Sequence, residues 1–170
     1  RSYIQKEQEW LRFYPNHLTK REICDPTSVF RSIFKNHDLD FYVHTLENGM
    51  KRDAPVFPCY SNLKRMIEAC WLIHERSISK NSYQSVSKTP NNLSFSLSCP
   101  LLIDEIHLSN PYLVVESFFS FVGLEEYRED LKRWFKAALN EHESYEDAND
   151  LLFIHNQLIQ LIEAGYLIGM

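Results

Sequence analysis

The chain has 170 residues, of which 44% are hydrophobic and 24% charged, with a formal net charge of −5 at pH 7. This is the composition of an ordinary soluble globular protein. No apolar run approaches the length of a membrane span, and the acidic balance weighs against nucleic acid, whose phosphates call for clustered Lys and Arg. The four cysteines, Cys24, Cys59, Cys70 and Cys99, are too far apart in sequence for a CxxC metal or redox pair. Reduced, mostly buried thiols in a cytoplasmic protein are therefore expected. The chain opens at Arg1 with neither an initiator Met nor a secretory signal, so upstream residues are expected to have been removed.

Taken in chain order, residues 1–17 read as an N-terminal capping helix, with Ile4, Trp10, Leu11 and Tyr14 at helical spacing ahead of Pro15. Residues 18–77 form the first of two helical repeats. Residues 25 to 48 align without a gap on residues 110 to 133, with identities at Pro26/Pro111, Val29/Val114, Ser32/Ser117, Phe34/Phe119, Leu39/Leu124, Tyr42/Tyr127 and Leu46/Leu131. The match resumes at 63 to 73 on 158 to 168, where six of eleven positions are identical. A repeat of this kind governs the whole fold.

Each copy opens on a short apolar turn, Leu18 to Cys24 or Ile103 to Ser109, and in the first Thr19 and Glu22 have capping-box spacing. Asp25-Pro26 and Asn110-Pro111 then start a helix that runs to about residues 37 and 122. Asp38 and Gly123 follow it, two residue types that tolerate the left-handed conformation past a helix end. A second helix stops at Gly49 in the first copy and runs to about Leu139 in the second. The third helix, after Pro58 to about Ser77 and then from about Ala148 to Ile168, is apolar over so much of its circumference that it belongs at the centre. The two third helices are expected to pack near a pseudo-twofold axis, with Gly165 permitting close approach. Residues 78–102, between the copies, alternate Leu93, Phe95, Leu97 and Cys99 with serines. They read as a small β-hairpin or as a Ser-rich linker. The expected fold is thus all-α, an internally duplicated three-helix unit of six or seven helices in one compact domain, with repeat 2 at 103–170.

Chemistry is sparse by comparison. Arg31 and His37, with five residues between them near a helix end, resemble the Arg-x(4–6)-His signature of HEPN-type ribonucleases. That resemblance implies a phosphodiester substrate, with the imidazole moving protons and the guanidinium stabilising charge. The second copy has Glu116 and Val122 at these positions. Asp40 and His44 lie one turn apart near His37, but three ligands from one segment leave a metal site incomplete, and the Glu-x-x-His motif of di-iron bundles is absent. With glycines only at 49, 123, 165 and 169 there is no phosphate-cradling loop. No metal or cofactor is expected.

Glu68 and Glu163 are acids at the same place in both third helices. They read either as carboxylates paired across the pseudo-dyad or as structural contacts, each within its own copy. Residues 125 to 150 carry nine acids against four bases, a net −5 that leaves the rest near neutral. Glu141, Glu143, Glu146 and Asp147 within them form either a solvated loop or a docking face. Trp71, Tyr127, Trp134 and Tyr166 are candidates to line an aromatic pocket between the copies. The leading functional expectation is a non-enzymatic interaction or regulatory module, bound to a protein partner or to itself through the inter-repeat groove or the acidic face. A HEPN-like ribonuclease and a small-molecule sensor are the alternatives.

Overall fold

A computed structural model of the chain describes residues 15–48, 56–80, 103–139 and 148–170. Those residues contain eight helices and no strand: α1 (Lys20–Cys24), α2 (Thr27–Asn36), α3 (Leu39–Asn48), α4 (Val56–Lys80), α5 (Glu105–Ser109), α6 (Tyr112–Phe121), α7 (Leu124–Leu139) and α8 (Ala148–Gly169). The expected all-α class holds over them, with eight helices against the six or seven expected, because both short apolar turns close into helices. The capping helix expected at 1–17 lies outside the described residues as far as residue 14, and the hairpin or linker does so from residue 81.

Local chemistry sets the boundaries. Thr19 Oγ1 accepts from the Glu22 N–H and Glu22 Oε2 accepts from the Thr19 N–H, the reciprocal capping box expected from their spacing. Asp104 does the first half of this for α5, accepting from the His107 N–H at 2.9 Å. Pro26 and Pro111 have helical backbone angles and stand directly ahead of α2 and α6. α4 begins two residues before Pro58, which is tolerated in a first turn because its missing N–H has no intrahelical acceptor there. It continues to Lys80, three residues past the expected end.

One expectation is corrected. α2 and α6 end on residues in extended conformation, His37 (φ −139°) and Val122 (φ −141°), with no left-handed cap. Asp38 and Gly123 instead begin the next helices. Asp38 Oδ1 accepts from the Phe41 N–H at 2.9 Å and the Gly123 carbonyl accepts from the Tyr127 N–H. Asp and Gly are both favoured N-cap residues, so the aligned pair marks a start where it was read as a stop.

Contacts recur in pairs, a pattern that hints at internal duplication. The Tyr42 hydroxyl donates to the Ile33 carbonyl and the Tyr127 hydroxyl to the Phe118 carbonyl, at matching positions of the repeat. α8 packs on α2 and α3, and α4 packs on α6 and α7, so each long helix lies against the shorter helices of the opposite half. α2 also touches α4, α6 touches α8, and α4 and α8 approach each other within 8 Å. One core runs through both halves, with Phe30, Tyr42, Leu63 and Met66 meeting Phe118, Tyr127, Leu161 and Ile162 in a single buried cluster. Gly165 sits inside it. A Cβ there would lie 3.0 Å from the Phe30 ring and 3.4 Å from Met66 Sδ, which explains why the helix accepts a glycine's cost of about 1 kcal/mol relative to alanine.

Candidate functional site

The two matched carboxylates come first because both are buried, Glu68 at 1% and Glu163 at 3% exposure. Glu68 accepts from the Asn16 N–H at 3.0 Å and the His17 N–H at 2.9 Å, while Glu163 accepts from the Ile103 N–H at 3.1 Å. Each acid thus ties the loop ahead of its own half's short helix to its own half's long helix. Such backbone donors satisfy a buried carboxylate without any ligand. Glu68 has a further bond, from Arg128 Nη2 of α7 at 2.8 Å, which links the first half to the second. Arg128 was not singled out by sequence reasoning, and its repeat equivalent is Val43.

A second network, also missed, belongs to the first half. The Arg65 guanidinium donates to Glu22 at 2.5 Å and to Asn62 Oδ1 at 3.3 Å, and Asn62 Nδ2 donates to the Tyr42 hydroxyl. Burial raises the Glu22 carboxyl, but the Thr19 N–H and Arg65 outweigh it and hold the group below its ordinary value. Burial pushes the Tyr42 phenol up to about 12. Arg76 donates to the Ile23 and Cys24 carbonyls and closes the end of α1. These bonds fasten α1 to α4.

The four aromatic candidates are separated by burial. Tyr127 and Trp134 are core residues, at 1% and 7% exposure, and Tyr127 stacks on Phe118 at 3.7 Å. Trp71 is half-buried, edge-on to Phe119 at 5.1 Å with His74 beside it. Tyr166 is half-buried and meets Phe34 edge-on at 5.3 Å.

Tyr166 lines a pocket of about 230 Å³ between α2 of the first half and the end of α8 in the second. Phe30, Phe34, Tyr166 and Gly169 form its apolar wall, Arg31 and Lys35 stand at its rim, and Met170 borders it at 71% exposure. The bare backbone at Gly169 is required, since a Cβ would lie 3.0 Å from Phe30 Cβ, 3.2 Å from its carbonyl carbon and 3.3 Å from the Arg31 nitrogen. Arg31 is paired with Asp25 at 3.0 Å, both about half exposed. His37 is not among the pocket residues; it stacks on Phe41 at 3.9 Å and meets Tyr42 edge-on. The Arg31/His37 pair therefore has separate partners, and no cleft residue joins them among the contacts described. The signal for the close approach at Gly169 lay one residue past the end of the repeat alignment, where His74 matches Gly169.

Glu141, Glu143, Glu146 and Asp147 lie outside the described residues. Among the described residues no group of three or more His, Cys, Asp or Glu side chains is placed to hold a metal ion, and His37, Asp40 and His44 form no such group. No helix among them is long and apolar enough to cross a membrane. Cys59 and Cys70 are buried and Cys24 exposed; burial pushes the Cys59 thiol up to about 12 and raises Cys70 as well. Comparison with known protein families, curated proteins and solved structures gives no match to this chain.

Proposed function

We propose that this chain is a non-enzymatic helical interaction module, built from two copies of one unit about a pseudo-twofold axis, that binds a protein partner in the groove between the copies. The observation that carries this reading is the pocket between α2 and the end of α8, which draws one wall from each half and has exposed charged residues at its rim. Pockets between packed helices are common binding positions. The two buried carboxylates, both engaged by backbone N–H groups of their own halves, support a structural role for the most conspicuous acids in the repeat.

The test uses a photo-crosslinking residue introduced at Met170, beside the pocket, or at Glu75, its repeat equivalent in the other half. In extract of the cells that make the protein, adducts of another protein or of a second copy are expected from position 170 and not from position 75. Equal labelling at both positions, or none at 170, would count against the groove.

A further inference from the structure

Bonds within a half differ in kind from contacts between halves. The Glu22–Arg65 pair and the Tyr42 hydroxyl bond order the first half, and the Tyr127 hydroxyl bond and the Glu163 bond to Ile103 order the second. Between halves the contacts are aromatic. Tyr60 of α4 stacks on Phe135 of α7 at 4.1 Å, Trp71 of α4 meets Phe119 of α6 at 5.1 Å, and Phe34 of α2 meets Tyr166 of α8 at 5.3 Å. The Glu68–Arg128 pair joins the same two helices as the Tyr60–Phe135 stack, with side-chain exposures of 1% and 17%.

Neither half encloses its own core. α4 finds more of its packing on α6 and α7 than on the first half, and α8 finds more on α2 and α3 than on the second. A half parted from its complement bares the apolar face that drives association in water. The surface shaped to cover that face is the other half, and a second copy of the chain carries it unchanged.

We infer that two copies of this chain associate by exchanging halves, with α1–α4 of each copy packed on α5–α8 of the other. Every contact named above is kept in this arrangement, so the closed chain and the exchanged pair differ in which halves are covalently joined. Residues 81–102 separate the halves in sequence, a stretch whose greatest reach of roughly 75 Å allows either arrangement. The closed chain prevails in dilute solution, because joining two modules by a short link is worth an effective concentration on the order of 1 mM. Exchange requires the halves to come apart, so it is set while chains fold together and not between folded chains.

Arg128 governs which halves meet. A first half packed on another first half sets Glu68 against Val43, the repeat equivalent of Arg128, and leaves a buried carboxylate without its cation. First half on second keeps the pair, and two such contacts close a ring of two chains. This association is independent of any partner bound in the groove.

The test refolds full-length Glu68→Ala and Arg128→Ala together from denaturant, one of them isotope-labelled, and weighs the products by native mass spectrometry. In either variant alone, every contact of a first half with a second strands one charge. In the exchanged heterodimer one contact has both Glu68 and Arg128, and the other has neither. The heterodimer should therefore exceed each homodimer by at least about tenfold and melt above both variants. Association through an outer surface gives instead a statistical mixture of homodimers and heterodimers. Light and heavy wild-type chains refolded together at about 1 mM should also yield mixed dimers, and the same chains mixed after folding should yield far fewer. If the variants do not fold even when mixed, the wild-type chains decide the matter. A statistical mixture of the variants, the absence of mixed wild-type dimers after joint refolding, or equal yields with and without it would overturn the inference.

Discussion

In the first half, Glu68 holds two backbone N–H groups of its lead-in loop and pairs across the molecule with Arg128; in the second, Glu163 holds the Ile103 N–H, and the repeat equivalent of Arg128 is Val43. The shared part of this arrangement, an acid in a long helix bonded to the loop before the short helix, belongs to building each half. Arg128, whose repeat equivalent is a valine, joins the halves. A similar division separates His74 from Gly169: the His74 ring packs on Phe119 of the opposite half, whereas at Gly169 the α2 backbone comes close enough to exclude a side chain. The matched acids thus give both halves the same tie, and an unequal position, Arg128, is where the halves are joined.

The largest test of this contrast is Glu68→Ala against Glu163→Ala. Removing one partner of a buried ion pair costs about 3–5 kcal/mol, whereas stranding a buried N–H costs about 1–3 kcal/mol. Chemical denaturation should therefore rank Glu68→Ala as the more damaging change, and equal losses would contradict a special role for the cross-half bond. Next is Gly169→Ala. Overpacking costs about 1–3 kcal/mol and the better helix propensity of alanine returns up to about 1 kcal/mol. A net loss is expected because the obstructing atoms at 3.2 and 3.3 Å are backbone. A more stable Gly169→Ala protein would mean that the pocket floor can yield.

Smaller effects compare the two tyrosines. Tyr127→Phe removes a donor to the Phe118 carbonyl, and Tyr42→Phe removes a donor to the Ile33 carbonyl together with the acceptor for Asn62. Each should lose about 0.5–1.5 kcal/mol in thermal or urea melts, with Tyr42→Phe the greater; the reverse order would show that the Asn62 bond is dispensable.

The smallest expected effect is a pH dependence. Burial lowers the His74 imidazole below its ordinary value, outweighing the pull of Glu75 and Glu116. With the folded value below the unfolded one, the unfolded chain takes up the proton first. Stability is retained above about pH 6.5 and falls as pH drops through the unfolded value toward the folded one. His17 shifts in the same direction, also chiefly through burial. The informative quantity is therefore the difference between wild type and His74→Asn, which should have a shallower decline in melting temperature between about pH 7.5 and about pH 5.

Much of the architecture was legible because helix starts and apolar faces obey local rules. Asp25-Pro26, Asn110-Pro111 and the Thr19/Glu22 box mark their boundaries with residue chemistry alone, and the paired identities expose the repeat. The Asp38/Gly123 position was found but misassigned, since the same residue types favour a left-handed stop and an N-cap start. The long-range partners were not legible. Nothing within a few residues of Glu68 indicates Arg128, sixty positions later, and nothing near Arg65 indicates Glu22. The pocket was missed because its lining comes from α2 and the end of α8, which are more than 130 positions apart in sequence and meet only in the fold.

The reciprocal packing of the long helices also bears on how the protein is made. α2 and α3 bury their apolar faces against α8, which leaves the ribosome after the other seven described helices, and α4 waits for α6 and α7. During synthesis the first half must therefore keep Phe30 and its neighbours from other chains until α8 arrives. Any truncation before α8 would remove the cover from two helices at once, and a nascent chain stalled there should be a ready client for chaperones.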